Sequence, residues 1–523
     1  MSFKPQFEIE FQGDERTSKL SILSELSKDI ICPFCCLRFM NWQNISLCAS
    51  PIDTIIDTLK SLCETYNYDK NSQCVTCLNT LIYVSQPEFK QEVLQKILNS
   101  GFEYSSYLLT ITTPVYLLVS DAIYVDRLNK LGVITESDCK QNPYGSHRAK
   151  KQIMEQVIPS KKLAKFILGP YLTPLLGVPV SFASPFRCEI DIKIDRTLNL
   201  PAEFKQNLQK AARREFSKVQ KAEGSPDSIL NNELSRMINE CADLQLLQNM
   251  LSAEPAKVTT VSELIIYREV TYLCGRYLKL QRGIAQTGDM DEASDEEPGQ
   301  VLDYSIENVL EAELKKHVHF EKMILTAAGR EDIDVRMLGT GRPFILQLIG
   351  SKNCPSRDWV QICSDMNKNL GVEGHVQLYP ELVLFEKGNN AAMQELYKGS
   401  TEKVKNYRAV LYSAEKITLE KLEAQLKEII DLQLSQKTPI RVLHRRPLID
   451  RQKTIFKIDL LKFLNEHYFV VEIKASAGCY IKEFVHGDFS RTVPNLSGIV
   501  GVELQIVQLD VMGVEQVWPV TLE

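Results

Sequence analysis

Two Cys-x-x-Cys elements near the N-terminus supply four thiols at spacings that suit a metal ion. They are Cys32 with Cys35, and Cys74 with Cys77. A two-residue spacer lets one tight turn direct both sulfurs of a pair at the same ion, and four thiolates match tetrahedral Zn²⁺. The sequence therefore predicts one structural zinc site with no open coordination position. The alternatives are four unrelated core cysteines or a redox pair, and Cys36, next to Cys35, blurs the assignment.

A second group of reactive side chains lies in residues 329–336, which read Gly-Arg-Glu-Asp-Ile-Asp-Val-Arg. Dense charge bracketed by glycines is typical of a loop that presents carboxylates and guanidinium groups to a ligand. Arg330 and Arg336 are expected to keep the nearby carboxylates ionised by lowering their pKa. An ionised carboxylate can act as a nucleophile or general base. On residue types alone, a surface turn with weak ion pairs is the alternative.

A third cluster, in residues 477–492, places an aromatic, a lysine and a histidine after a predicted strand. Tyr480 could stack on a nucleic-acid base. Lys482 could pair with a carboxylate or a phosphate. The segment could equally be a strand-to-helix junction with Tyr480 in the core.

The elements that would position these groups follow from hydrophobic periodicity. The predicted helices cover residues 52–66, 89–98, 202–222, 305–317 and 419–432, and the predicted strands cover 107–112, 115–120, 188–194, 344–349, 409–413 and 469–475. This order indicates an α+β protein. The helix over 202–222 carries a cationic stripe, which could contact phosphates or simply be a solvated face, formed by Lys210, Arg213, Arg214, Lys218 and Lys221.

Length and composition limit the class of protein. A chain of 523 residues is too long for one core and suggests two to four domains. The net charge is −6, and the six acidic residues within 289–297 account for all of it. The rest of the chain is therefore neutral on balance and can still carry a basic surface that binds nucleic acid. We expect a soluble, intracellular protein of the nucleus or cytoplasm, without membrane association, because no secretory signal and no membrane-spanning apolar run is visible. Its 14 cysteines are not expected to form a disulfide framework.

Several motifs together resemble one family, the archaeal and eukaryotic Pus-ten family of pseudouridine synthases. The resemblance covers most of residues 260–523. It rests on Gly275-Arg276-Tyr277-x-Lys279-x-x-Arg282, Gln286-Thr287, residues 329–336, Gly341-Arg342-Pro343-Phe344, Thr438-Pro439-x-Arg441-Val442-x-His444-Arg445-Arg446-Pro447 and residues 480–489. Cys479 stands where the family more often has threonine. The N-terminal half is similar through its paired Cys-x-x-Cys elements.

The resemblance implies an architecture. Residues 1–285 would form an α+β accessory RNA-binding domain with the zinc site (32–77) and a THUMP-like module. Residues 286–304 would be an acidic linker or loop, and residues 305–523 would form the pseudouridine synthase catalytic domain, a mixed sheet with helices.

The resemblance also implies residue roles. Asp332 would be the catalytic nucleophile, with Asp334 as the second choice, and Lys482 would be its charge partner. Tyr407, Tyr480 and Arg330 would bind the substrate.

The implied activity is isomerisation of uridine to pseudouridine in the TΨC arm of tRNA, at nucleotides 54 and/or 55. The partner would be tRNA, not DNA, and the protein is expected to be a monomer. No organic cofactor is needed, because the reaction involves no redox change. One alternative, a non-catalytic RNA-binding adaptor, would require the loss of an aspartate that is present. Another, a THUMP-containing methyltransferase or thiolation enzyme, would need a Gly-rich nucleotide-binding loop, which the sequence does not show.

Overall fold

The computed structural model of the chain describes residues 3–132, 157–194, 200–207, 244–251, 260–288, 305–353, 357–385, 390–444 and 446–519, with a few single residues between 209 and 237. The chain divides into two compact units, Met1–Tyr267 and Arg268–Glu523. Among the described helices, none is long and apolar enough to cross a bilayer.

The first unit is mainly helical over its described residues. Its helices are α1 (Lys4–Glu10), α2 (Gly13–Leu26), α3 (Pro33–Phe39), α4 (Ile45–Cys48), α5 (Ile52–Leu62), α6 (Thr80–Ser85), α7 (Pro87–Leu98), α8 (Val115–Lys130), α9 (Ser160–Leu176) and α10 (Leu244–Met250). A three-stranded sheet accompanies them, in the order β1 (Leu108–Thr112), β2 (Phe186–Ile194) and β3 (Thr260–Arg268). β1 and β2 are parallel. Trp42, Phe34 and Phe39 lie in the core of this unit, because the apolar faces of the short helices converge there.

The second unit is built on one mixed sheet of ten strands. Its strands are β4 (Thr271–Lys279), β5 (Lys322–Ala327), β6 (Arg336–Ile349), β7 (Val376–Phe385), β8 (Lys405–Ser413), β9 (Ile430–Gln436), β10 (Arg451–Phe463), β11 (Tyr468–Ala475), β12 (Thr492–Val493) and β13 (Leu504–Val514). They are ordered β12-β9-β10-β11-β8-β13-β6-β4-β7, and β5 pairs with β6.

Helices cover this sheet: α11 (Ile306–Leu314), α12 (Trp359–Glu373), α13 (Asn390–Thr401), α14 (Leu419–Lys427), α15 (Ile481–His486) and α16 (Leu496–Val500). Alternate residues of β8 and β11 are buried, which is the pattern of strands with one face in the core. β13 pairs antiparallel with β8 and, through Asp510 and Val511, parallel with β6. This pairing brings the loop before β6 next to the centre of the sheet.

The predicted α+β class is confirmed, and most predicted elements are present. The strand predicted over 115–120 is wrong, because these residues begin helix α8. β-Branched residues favour strands only weakly, and here Pro114 precedes a helix whose Leu117, Val125 and Leu128 are buried on one side. The helix predicted over 419–432 ends at Lys427, and its last residues belong to β9.

The domain boundary also differs from the expected one. Residues 268–285 were assigned to the accessory domain, but they belong to the second unit, because β4 pairs with both β6 and β7. Of the expected linker, residues 286–288 are described, and Gln286 contacts the site described below. Residues 289–304 lie outside the described residues, as does the cationic stripe beyond residue 209.

Candidate active site

The candidate site is built on the loop that joins β5 to β6. Lys279 of β4 holds the backbone of this loop. Its Nζ donates hydrogen bonds to the carbonyls of Asp332 and Ile333, both at 3.1 Å. The N–H of Gly283 donates to the Ile333 carbonyl at 2.9 Å, and the N–H of Val335 closes a turn onto the Asp332 carbonyl at 3.0 Å. These four bonds fix the direction in which the acidic side chains of the loop point.

A buried ion pair anchors the same loop. Glu331 accepts a hydrogen bond from Nε of Arg342 at 2.7 Å, and each side chain is only 1 % exposed. The Tyr277 hydroxyl donates to Oε1 of Glu331 at 3.1 Å, and Gln286 donates to that hydroxyl at 2.7 Å and to the Gly329 carbonyl at 3.1 Å. Because a buried charge is tolerated only when it is paired and hydrogen-bonded, this network holds the loop in one conformation.

The Asp332 carboxylate is partly exposed and is contacted by two cations. Oδ2 lies 3.0 Å from Nη1 of Arg441 and 3.4 Å from Nζ of Lys482. Burial by itself raises the pKa of the Asp332 carboxyl, but the charges of Arg441 and Lys482 outweigh it and hold the pKa below its ordinary value. Asp332 is therefore ionised at neutral pH.

Asp334 shares one of these cations and is more solvated. Nζ of Lys482 lies 2.7 Å from Oδ2 of Asp334, closer than it lies to Asp332. The Asp334 side chain is 66 % exposed, against 36 % for Asp332. Lys482 thus bridges both carboxylates.

The arginines expected to control these carboxylates are placed differently. Arg336 points to Asp510 of β13, with Nη2 2.7 Å from Oδ2, and Arg282 contacts the same carboxylate at 2.5 Å. Arg330 is exposed at the start of the loop. The expectation that Arg336 would hold the loop carboxylates ionised is therefore wrong, since Arg441 and Lys482 have that position.

Arg441 belongs to the motif over residues 438–447, but the sequence predicted no contact between it and the aspartate. It lies in a short 3₁₀ turn, Ile440–Val442, that begins after Pro439. Its Nε donates to Oε1 of the buried Glu483 at 2.7 Å, while Nη1 contacts Asp332. The dense run of basic residues from 441 to 446 was the available signal, but only the fold shows which of them faces the aspartate.

The two aromatic candidates lie on neighbouring elements. Tyr407 is on β8 and is 8 % exposed, and its burial raises the pKa of its hydroxyl. Tyr480 directly precedes α15 and is half-buried, with the Arg451 guanidinium 5.9 Å from its ring centroid. The side chain of Gln436 holds the backbone of Tyr480 through two hydrogen bonds of 2.9 Å. The alternative in which Tyr480 is a fully buried core residue is thus excluded.

Comparison with known proteins shows similarity to one family. The profile described as "Pus10, C-terminal" matches residues 272–515. The human protein named tRNA pseudouridine synthase Pus10 is 28 % identical over 472 residues, which cover 87 % of this chain and 81 % of the human one. The archaeal proteins of that name from Methanopyrus kandleri and Methanocaldococcus jannaschii are 29 % and 33 % identical, covering 63 % and 47 % of this chain and 77 % and 54 % of theirs. The chain is therefore similar to the Pus10 family, over residues 272–515 for the profile and over most of its length for the human protein.

These matches confirm the predicted class of enzyme, an isomerase of the pseudouridine synthase type. Among solved structures, the archaeal box H/ACA sRNP Nop10-Cbf5 complex matches 46 % of this chain and 47 % of that chain, with 13 % identity and a TM-score of 0.24.

The four predicted cysteine ligands converge in the first unit. The sulfurs of Cys32, Cys35, Cys74 and Cys77 all lie within 4.8 Å of one another, and all four residues are buried. The N–H of Cys32 donates to the Cys74 sulfur at 3.2 Å. The fifth candidate, Cys36, is also buried but is not in this group. Four buried thiols so placed fit the donor set of a metal ion.

A buried cation supports this cluster. Nη1 of Arg38 lies 3.6 Å from the Cys35 sulfur, and the same guanidinium forms an ion pair with Asp121 of α8. Arg38 is fully buried. Since four thiolates carry more negative charge than one divalent ion neutralises, a neighbouring guanidinium would stabilise the loaded site.

Proposed function

We propose that this protein isomerises uridine to pseudouridine in tRNA, in the TΨC arm at nucleotide 54 and/or 55. The observation that carries the proposal is the ionised Asp332, held between Arg441 and Lys482 in the loop before β6. The substrate class is supported by the names of the human and archaeal relatives. The choice of the TΨC arm rests on the resemblance of the motifs to the family.

The reaction breaks the N1–C1′ bond of uridine, turns the freed uracil and joins C5 to C1′, and the proton lost from C5 is balanced by the one gained at N1. No electrons are transferred. The base must leave the helix stack first, since its C5 and C1′ are otherwise inaccessible. A thymine base carries a methyl group at C5, so the same exchange cannot be completed on it, which favours RNA over DNA as substrate.

The arrangement of charges suggests which oxygen of Asp332 reacts. Both cations contact Oδ2. Oδ1 is then the oxygen that can attack the base or the sugar, or remove a sugar proton. Arg441 and Lys482 keep the carboxylate ionised and oriented while the substrate excludes water from it.

The substrate-binding residues are assigned from the resemblance of the motifs to the family. Tyr407 and Tyr480 would hold the extruded uracil by stacking, since an aromatic face binds any base. Arg330, which is exposed at the entrance of the loop, would contact a phosphate.

For the first unit we propose a structural Zn²⁺ at the four cysteines and a THUMP-like RNA-binding module. The zinc assignment is supported by the four convergent, buried sulfurs. The protein would act on tRNA as a monomer, with the first unit contacting RNA and the second unit supplying the candidate catalytic residues.

The test is a comparison of Asp332→Asn and Asp334→Asn on the same unmodified tRNA transcript, with pseudouridine mapped by position. Asp332→Asn should abolish pseudouridine formation while tRNA affinity stays within about threefold, because affinity is spread over many phosphate contacts. Asp334→Asn should lower the rate less. Full activity in Asp332→Asn, with none in Asp334→Asn, would move the nucleophile to Asp334. Pseudouridine made only outside the TΨC arm would overturn the proposed substrate position.

Tyr407 provides a second test of the same site. If stacking on uracil is its task, Tyr407→Phe should keep appreciable single-turnover activity and Tyr407→Ala should not. A Phe variant as inactive as the Ala variant would show that the hydroxyl group is what the reaction needs.

A further inference from the structure

A groove beside the candidate site is lined mostly by groups that the proposed reaction does not use. Its volume is about 860 Å³, which is in the range of sites for ligands the size of one nucleotide. One wall is strand β13 from Gln505 to Leu509, and the other is helix α15 and the turn that follows it. Lys482 lines the groove and also contacts Asp332, so the groove is continuous with the candidate site.

The turn after α15 has an unusual backbone. Gly487, Asp488, Phe489 and Ser490 all have positive φ, at 81°, 49°, 53° and 66°. A side chain in the left-handed region costs free energy at each residue, and consecutive residues in this region are rare. Such strain persists only where the surroundings hold the backbone in place, and it is concentrated at functional sites.

Several contacts hold this turn in place. The buried carboxylate of Asp488 accepts a hydrogen bond from the N–H of Ile440 at 3.2 Å, and the Arg491 guanidinium donates to the Thr438 carbonyl at 2.8 Å. A Cβ at Gly487 would meet the Asn495 side chain at 2.7 Å. The turn is therefore packed against its neighbours, and its conformation does not depend on a ligand.

The result of this strained turn is that Phe489 points into solvent. Its side chain is 91 % exposed, the highest value among the exposed large hydrophobic residues that the structure describes. A rigid backbone that presents an aromatic ring to water at the rim of a groove is an arrangement that serves recognition, since burying that ring would have favoured folding.

The groove lining indicates which kind of chemical group would bind against the Phe489 ring. It combines the cations Arg282 and Lys482 with the carboxylates Asp334 and Glu503, and amide side chains lie between them. Such mixed charge suits the hydrogen-bonding edge of one base better than a run of phosphates. His486 adds a further polar ring, because its Nδ1 accepts the Asp488 N–H at 3.1 Å and its Nε2 is left for a ligand.

From these observations we infer that this groove binds one unpaired RNA nucleotide next to the target uridine, with its base stacked on Phe489. The inference rests on the proposed function and deepens it. When the target base leaves the stack, the neighbouring base loses a stacking partner. The exposed ring of Phe489 at the rim of the groove can take the place of that partner. Phe489 would be a positioning residue, acting on where the strand lies and not on the bond that breaks.

The experiment uses the full-length chain and an RNA stem-loop with the TΨC-arm sequence, in which 2-aminopurine replaces the nucleotide on one or the other side of the target. Stacking on Phe489 should quench the fluorescence at one of the two positions in the wild-type complex. Phe489→Ala should restore it and weaken affinity roughly 5- to 100-fold, the effect of losing one base–aromatic stack. Phe489→Trp should keep the quenching, and Phe489→Leu should behave like the Ala variant. The unfolding temperature should not change, because the ring is exposed.

Phe182→Ala provides a matched control, since Phe182 is also exposed, at 87 %, and lies in the first unit. Equal losses in both Ala variants would overturn the inference, because they would indicate general attraction of aromatic side chains to RNA. Unchanged quenching and affinity in Phe489→Ala would also overturn it and would leave a protein partner as the occupant of the groove. If the wild-type protein forms no pseudouridine, the proposed function fails, but the fluorescence comparison still decides the role of Phe489.

Discussion

Lys405 is a buried cation whose protonation should make the stability of the second unit depend on pH. It lies on β8 and is 6 % exposed. Burial and the charge of the neighbouring Arg342 together lower its pKa from 10.5 to about 7, against a weaker opposing effect of Glu331. In the unfolded chain the amine keeps its ordinary pKa. Between these two values the unfolded state binds more protons than the folded state, so stability rises with pH.

The size of the effect follows from the two pKa values. At pH 7 the folded protein is about half protonated at Lys405, and by pH 9 it is almost fully neutral, while the unfolded chain stays protonated. A full proton difference contributes about 1.4 kcal/mol per pH unit. The gain from pH 7 to pH 9 is therefore about 2 kcal/mol. Below pH 7 both states are charged, and the whole cost of burying the ammonium group is present.

Urea unfolding of Lys405→Met and the parent protein at pH 7, 8 and 9 measures this directly. In a Trp42→Phe background the signal comes from Trp359 and Trp518, which are both in the second unit. The Met variant should be the more stable at pH 7, and the difference should shrink by about 2 kcal/mol at pH 9. Other groups that titrate in this range are common to both proteins and cancel. Parallel pH dependences would refute the reasoning and show that the Lys405 amine stays protonated in the folded protein.

Three further predictions concern the loop, the carboxylate and the metal. Glu331→Gln should destabilise the second unit by about 3–5 kcal/mol in urea unfolding, because it leaves Arg342 buried without its partner; adding Arg342→Met should recover part of the loss, and strictly additive effects would count against the buried pair. Arg441→Met should move the acid limb of the pH–rate profile to higher pH, because the Asp332 pKa is no longer held down; an unmoved limb would contradict this. Cys74→Ser should release zinc, measured by elemental analysis, and lower the melting temperature of the first unit. A wild-type protein that contains no zinc, together with a Cys74→Ser variant as stable as the wild type, would exclude the metal.

The sequence located the candidate catalytic loop, but it did not show which of its charges are buried. Glu331 and Asp332 are adjacent and look equivalent on residue type. The fold separates them, because Glu331 faces Arg342 across the β5–β6 connection and is buried with it. Arg342 lies in β6, 11 residues further along the chain, and it meets Glu331 only once β4, β5 and β6 have paired. Burial of a charge is therefore a property of the sheet topology, which hydrophobic periodicity does not specify.

The cysteine site shows the opposite case. Its four ligands were predicted from spacing, and the structure brings all four sulfurs together. The spacing within each Cys-x-x-Cys element determines how its two sulfurs are placed relative to each other. Only the approach of the two elements to one another depends on the fold. The position of Arg38 against Cys35 was not predicted, because it requires α3 and α8 to pack so that Asp121 pairs with that guanidinium.

The positions of the two loop aspartates argue that Asp332 is the reacting one, even though Lys482 lies closer to Asp334. Two unit charges about 4 Å apart interact by about 1 kcal/mol in bulk water and about 4 kcal/mol near a protein surface. The more exposed Asp334 lies nearer to the first limit and Asp332 nearer to the second, and Asp332 alone is also paired with Arg441. A bound base would exclude more water from Asp332 and strengthen both of its ion pairs. Lys482, by contrast, would exchange Asp334 for Asp332 or for a phosphate at little cost. Under the proposed function, the two aspartates would therefore have different tasks: Asp332 would react, and Asp334 would hold Lys482 in place until the substrate arrives.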